Sequence, residues 1–177
     1  MPGEISRAEQ LARIVRVDHA GEFGAQKIYA GQLAVLGDTD SGPIIRHMAE
    51  QEDAHLEAFE KELVERRVRP SALMPFWSAA GYALGVGTAL LGPRAAMACT
   101  VAVEEAIVEH YEEQATQLEG DADNADLKAK IEQFCAEEAE HRDIGLEHEA
   151  EKTPGYRLIH GAIRRGSKAA IWLATRV

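Results

Sequence analysis

Apolar side chains recur at three- and four-residue intervals along most of the chain. That spacing marks one face of an α-helix, and the two-residue alternation of a strand is scarce. Five clusters of breakers interrupt the pattern, at Gly37 to Pro43, Arg69-Pro70, Gly92-Pro93, Gly120 to Asn124 and Thr153-Pro154-Gly155. They predict about six helices, over 5–37, 42–67, 75–92, 93–119, 124–151 and 155–175. Ser41, and Asp123 or Asn124, stand where N-caps are expected. The expected class is all-α, a helical bundle.

The stripes of four long helices can be read off directly. They run Leu11, Val15, Glu22, Ala25, Tyr29, Leu33, Leu36; then Ile45, Met48, Glu52, His55, Phe59, Leu63; then Met97, Val101, Glu104, Val108, Tyr111, Ala115, Leu118; then Leu127, Ile131, Phe134, Glu138, His141, Gly145, His148. Each carries a glutamate near its middle, and two carry a histidine three residues later. An unpaired buried carboxylate costs several kcal/mol unless it is neutralised or bound. Four of them with two imidazoles, at similar depth, call for a common positive partner, and two divalent cations balance the four negative charges. Glu104 lies on its stripe, whereas Glu105, Glu109, Glu112 and Glu113 read as a solvated face.

One Glu from each of two helices, with Glu-x-x-His from each of two others, is the ligand pattern of ferritin-like di-iron and di-manganese proteins. The order is also an internal repeat: Glu22 then Glu52-x-x-His55, Glu104 then Glu138-x-x-His141. The expected fold is therefore a ferritin-like four-helix bundle of two helix pairs, a single domain over 1–177. Residues 68–93 form an apolar crossover helix, and a basic C-terminal helix covers about 155–175. Carboxylate and imidazole ligands that leave metal positions open suit iron or manganese, and two iron ions are the expectation; zinc would have no redox use. On spacing alone an ordinary acidic bundle stays open. Asp18, Asp53, Asp143 and Glu105 are candidates to hold the ligand histidines, against surface charge as the plainer role. His110 and Tyr111 read as packed core or as relay groups, and His148 as a packed histidine.

Charge narrows the field. The 177 residues carry a formal net charge of −11, which argues against nucleic acid as a partner. Residues 152–177 hold six bases and no acid, so the remainder stands at −17. The two cysteines, Cys99 and Cys135, form no CxxC, which excludes a disulfide scaffold, a Cys-based zinc site and a rubredoxin-type iron site. Met1-Pro2-Gly3-Glu4 shows neither a signal peptide nor a transit peptide, and a reducing, cytoplasmic, bacterial-type setting is expected. From Pro70 to Pro93 no residue is charged. Its prolines and glycines leave it short for a bilayer span, and an odd number of spans would separate the two halves of the metal bundle. An interfacial helix presenting Phe76, Trp77, Tyr82, Leu84, Leu90 and Leu91 is expected, with the basic tail and Ile171, Trp172 and Leu173 beside anionic headgroups. A crossover packed on the bundle or between subunits is the alternative.

Several blocks carry a more specific likeness. Asp18-His19-Ala-Gly-Glu22-Phe-Gly-Ala, the run Ile28 to Leu36, Arg67 to Pro75, Gly87 to Gly92, Ala98 to Glu105 and Glu137 to Gly145 together resemble the demethoxyubiquinone hydroxylase family. The resemblance implies a membrane-associated di-iron monooxygenase of ubiquinone biosynthesis. Its substrate would be the quinol 2-polyprenyl-3-methyl-6-methoxy-1,4-benzoquinol, hydroxylated on a ring carbon with dioxygen. Carried over position by position, it implies Glu22, Glu52, His55, Glu104, Glu138 and His141 as iron ligands, the six that the stripes select. It implies a peripheral place on the cytoplasmic face of the bacterial inner membrane. The residues specify neither oligomeric state nor a lipid-binding partner protein, so a homo-oligomer and such a partner both stay open. The rival readings are a ferritin- or rubrerythrin-like bundle for iron storage or peroxide scavenging, and a non-catalytic helical protein of the membrane surface.

Overall fold

The computed structural model describes residues 5–177, so the leader reading on Met1 to Glu4 lies outside it. Six α-helices follow in order: α1 Arg7–Leu36, α2 Gly42–Glu65, α3 Met74–Leu90, α4 Pro93–Gln117, α5 Ala125–Glu147 and α6 Tyr156–Ala174. Short 3-10 turns cover Ala122–Asn124 and Ala150–Lys152, and the described residues contain no strand. The all-α expectation holds. Capping differs in detail. The Ser6 hydroxyl accepts from the Glu9 N–H at 3.1 Å and starts α1, while Ser41 and Asn124 stand at their helix starts without a side-chain capping bond. Pro43, preset for the first turn, does that work for α2.

The chain divides into two units, the first running to Val86 and taking in Ala169–Val177, the second Gly87–Lys168. In the first, the tight turn after Leu36 brings α2 back antiparallel to α1. His55 then faces Glu22, and the Gln26 side chain donates to Asp53 at 2.6 Å. Val15, Ile45, Met48 and Phe59 are fully enclosed. Helix α3 runs parallel to α1 at backbone contact, because glycines face each other across the seam. A Cβ added at Gly81 would lie 2.8 Å from the Gly24 carbonyl oxygen, and one at Gly85 would collide with the Ile28 carbonyl. Trp77 packs with Val17, Ala20 and Ala174, bordered by Phe23, Leu73, Met74, Ala170 and Ile171. This corrects the expectation for α3. Phe76, Tyr82, Leu90 and Leu91 do face outward, but Trp77 is only 9% exposed and Leu84 is half-buried.

In the second unit α4 and α5 are antiparallel, with Gly145 against Val101 and the Cys135 thiol toward the Val108 carbonyl. Every residue from Ala95 to Glu104 is buried, so this stretch is enclosed around its whole circumference. Arg94 grips Glu149, with Nε at 2.8 Å, and Lys152 joins the same carboxylate. Helix α5 stops at Glu147, which leaves His148 exposed at its C-cap rather than packed. The acidic face of α4 is not merely solvated. Glu105 takes His160 at 3.0 Å and Arg164 at 3.3 Å, and Glu109 takes Arg164 at 2.7 Å and Lys168 at 2.6 Å. The Lys168 hydrogen bond, with the charges of Lys168 and Arg164, holds the Glu109 carboxyl below the usual carboxylate range.

The glycine seam predicts opposite signs at two neighbouring positions. Gly85→Ala should lower Tm, since its methyl drives α3 off α1, whereas Gly87, with nothing within 4 Å of an added Cβ, should tolerate Ala. At Gly87 the helix-propensity gain of about 0.5–1 kcal/mol should raise Tm slightly. Thermal melts of the two variants beside the parent chain check this.

Candidate metal centre

Each unit contains one copy of the same acidic triad. In the first, Glu22 of α1 and Glu52 and His55 of α2 are at most 1% exposed, and each offers a ligand atom within 4.8 Å of the others. In the second, Glu104 of α4 and Glu138 and His141 of α5 are equally buried and equally close. The i, i+3 step puts Glu52 and His55, and likewise Glu138 and His141, on one side of their helix. The antiparallel pairing then brings the single Glu of the neighbouring helix to the same depth. His55 Nδ1 lies 3.4 Å from a Glu22 carboxylate oxygen, and His141 Nδ1 lies 3.2 Å from a Glu138 oxygen.

These separations suit a shared cation. Two ligand atoms about 2.1 Å from one ion and at right angles stand about 3 Å apart. Both imidazoles present the same nitrogen, Nδ1, toward a carboxylate. Each triad carries two carboxylates against one imidazole, so without a cation it would hold up to two negative charges in a water-excluded interior. The donor set, hard carboxylate oxygen with borderline imidazole, fits a redox-capable first-row metal. The cysteines contribute nothing comparable: burial pushes the Cys99 thiol up to about 12, far from a ligating thiolate.

The residues around the triads resolve differently. Asp18 is buried, but Asp53 accepts from Gln26, Asp143 pairs with Arg142 at 2.7 Å on the surface, and Glu105 is taken up by His160 and Arg164. Asp18 therefore remains the one candidate with the burial a supporting carboxylate needs. His110 is half-buried, with Nε2 2.8 Å from Gln114 Nε2, and Tyr111 is buried. His19, one turn before Glu22, is buried as well, and loss of solvation lowers its pKa against the opposing pull of Glu60.

One feature of the repeat escaped the stripes. Glu22, Tyr29 and Gln32 recur as Glu104, Tyr111 and Gln114, with identical spacing, and all six are buried. The two glutamines stand at stripe spacing, three after Tyr29 and Tyr111 and four before Leu36 and Leu118, but as polar residues they give no hydropathic signal. Direct self-comparison of the two halves would have found them.

A model of the family described as ubiquinone biosynthesis protein COQ7 matches residues 9–174. The chain belongs to this family. It is 53% identical over 171 residues to the NADPH-dependent 3-demethoxyubiquinone 3-hydroxylase of Bos taurus, covering 96% of this chain and 79% of that protein. It is 52% identical over 178 residues to the 3-demethoxyubiquinol 3-hydroxylase of Rhodospirillum rubrum, covering 100% and 83%. The 5-demethoxyubiquinone hydroxylase of Saccharomyces cerevisiae is 39% identical over 187 residues, covering 97% and 80%. The COQ7 match thus includes both triads and all six helices except the first two residues of α1.

A neutral isostere separates the charge of a triad from its shape. Glu104→Gln should raise the Tm of metal-free protein, because a charge leaves the interior. The same change should shrink the further rise in Tm that ferrous iron gives under anaerobic conditions. Thermal melts with and without iron read both effects.

Proposed function

We propose that this chain is a dioxygen-dependent monooxygenase that hydroxylates the ring of a polyprenyl demethoxybenzoquinol in ubiquinone biosynthesis. The observation that carries the reading is the buried Glu, Glu-x-x-His triad present in duplicate within a chain of the COQ7 family. In this reading the whole chain is one ferritin-like domain. Glu22, Glu52, His55, Glu104, Glu138 and His141 hold two iron ions in this reading. Four carboxylates then balance two ferrous ions, which removes the electrostatic cost of burying them.

Bound iron supplies reductive activation of dioxygen. The overall change converts a ring C–H, dioxygen, two electrons and two protons into a ring C–OH and water. The name of the Bos taurus relative points to NADPH as the electron source. The chain's own contribution is positional. Six side chains fix the centre, and the enclosed stretch Ala95 to Val103 keeps bulk water from it.

A polyprenyl quinol resides in a bilayer, so the enzyme must work at one. Among the described residues no helix is long and apolar enough to cross a membrane. Helix α3 and the turn after it instead present an uncharged surface, with Phe76 58%, Leu90 70% and Leu91 71% exposed. We assign it peripheral contact with the bilayer, on the cytoplasmic face of a bacterial inner membrane.

Anaerobic loading with ferrous iron, followed by demethoxyquinol, reductant and dioxygen, should yield the hydroxylated quinol by mass analysis. Glu52→Ala should bring product to background, and full activity in that variant would refute the reading. Phe76→Glu with Leu90→Glu should weaken co-sedimentation with lipid vesicles while leaving the helical content unchanged.

A further inference from the structure

Helix α6 is held in an unusual way. Of its 19 residues only Ala174, at the far end, is buried. Its first three turns are fastened to α4 by a charge ladder: His160 and Arg164 on Glu105, Arg164 and Lys168 on Glu109. All five side chains retain partial solvent exposure. Exposed ion pairs of this kind are individually weak and screened by salt.

The opposite side of α6 has another character. Leu158, Ala162, Arg165, Ala169, Trp172 and Arg176 follow one another at intervals of three and four residues, and all are exposed. The Arg176 guanidinium lies 3.9 Å from the Trp172 ring centre. Large apolar groups, an indole and arginines alternate on one helical face, with no acid anywhere from residue 152 onward. That is the composition of a helix that lies in a headgroup layer. A nucleic acid would not engage the apolar members of this face.

We propose that α6 docks on anionic lipid headgroups, and that Glu105 and Glu109 compete with those headgroups for Arg164 and Lys168. On a neutral surface the ladder stays closed against α4. On a surface rich in anionic phosphate the two cations exchange a carboxylate for a lipid, and the first half of α6 is released toward the bilayer. The exchange is feasible because a headgroup attracts an arginine or lysine about as strongly as an exposed carboxylate does. This rests on the membrane-surface reading above and adds to it the lipid chemistry and an internal competitor. Glu105 directly follows Glu104, so the state of the ladder also reaches the helical turn that carries a proposed iron ligand.

The competition makes a prediction that simple attraction does not. Full-length protein is mixed with vesicles of phosphatidylcholine alone, or of phosphatidylcholine with phosphatidylglycerol, and the bound fraction is measured by sedimentation. Glu109→Gln should bind the anionic vesicles about fivefold more tightly than the parent chain. Glu112→Gln makes the same charge change on an exposed face of the same helix, outside the ladder, and should alter binding less than about twofold. In a Lys168→Gln background the gain from Glu109→Gln should shrink, a non-additivity that reports direct coupling. Equal effects of Glu109→Gln and Glu112→Gln would overturn the competition and leave the membrane reading standing. So would binding that does not distinguish the two vesicle types. Failure of the parent chain to bind either vesicle would overturn both.

Discussion

Burying negative charge is the constraint from which the rest of this molecule follows. Glu22, Glu52, Glu104 and Glu138 are each at most 1% exposed, in helices whose neighbouring core positions are Val, Ile, Met, Phe and Ala. An ionised carboxylate removed from water costs several kcal/mol unless its surroundings repair the loss. A fold of about 170 residues has a net stability of roughly 5–15 kcal/mol. Four uncompensated charges would consume it. A bound cation would remove that cost, and the helix pairing presents ligands for one. Antiparallel pairing aligns Glu22 with His55, and the i, i+3 step brings Glu and His of α2 and of α5 to one side.

A continuous run of buried residues ends at one of these carboxylates. Ala95 to Glu104 is enclosed all round, and its small residues let neighbouring backbone come near: Gly145 faces Val101 with no room for a methyl group. In the first unit the corresponding closeness is between α1 and α3, where Gly24 meets Gly81 and Ile28 meets Gly85. Packing at backbone contact fixes α1 along the segment that carries Glu22 and Tyr29. It also leaves α3 with its other side bare, since a helix seated on glycines has its bulky residues pointing away. The exposed stripe of Phe76, Leu90 and Leu91 is thus the geometric complement of the seam.

Much of this was legible from residue spacing alone. The helix count, the breakers, the all-α class and the burial of all six ligand candidates follow from three- and four-residue periodicity and from the placement of Glu and His on apolar stripes. What spacing missed shares one cause: it sees a single helix at a time. Trp77 reads as surface because its neighbours are apolar and uncharged, but Val17, Ala20 and Ala174 converge on it from elsewhere in the chain. Glu105 and Glu109 read as a solvated face because their partners lie 55 to 59 residues away. His148 reads as packed because the stripe was carried past the true end of α5, and a left-handed Glu149 follows it. Gln32 and Gln114 stand at stripe spacing, but a polar side chain there carries no hydropathic signal.

Those two glutamines bear on how the halves came to be alike. Retention of a metal triad in both halves could follow from ligand chemistry alone. Ligand chemistry does not require Tyr29 and Tyr111 at +7, or Gln32 and Gln114 at +10, all enclosed. Burying a glutamine removes an amide from water and is tolerated only where partners satisfy it. The repeat is of the glutamines and not of all their partners: Gln114 Nε2 lies 2.8 Å from His110 Nε2, and Ile28 stands at the matching position of the first half. The units differ on their surfaces as well. α3 adds an uncharged stripe to the first, and the ladder on α4 adds a charged attachment to the second. Glu, Tyr and Gln kept at one register while their surroundings differ is what two copies of one helix pair would show if those side chains served a common chemical task.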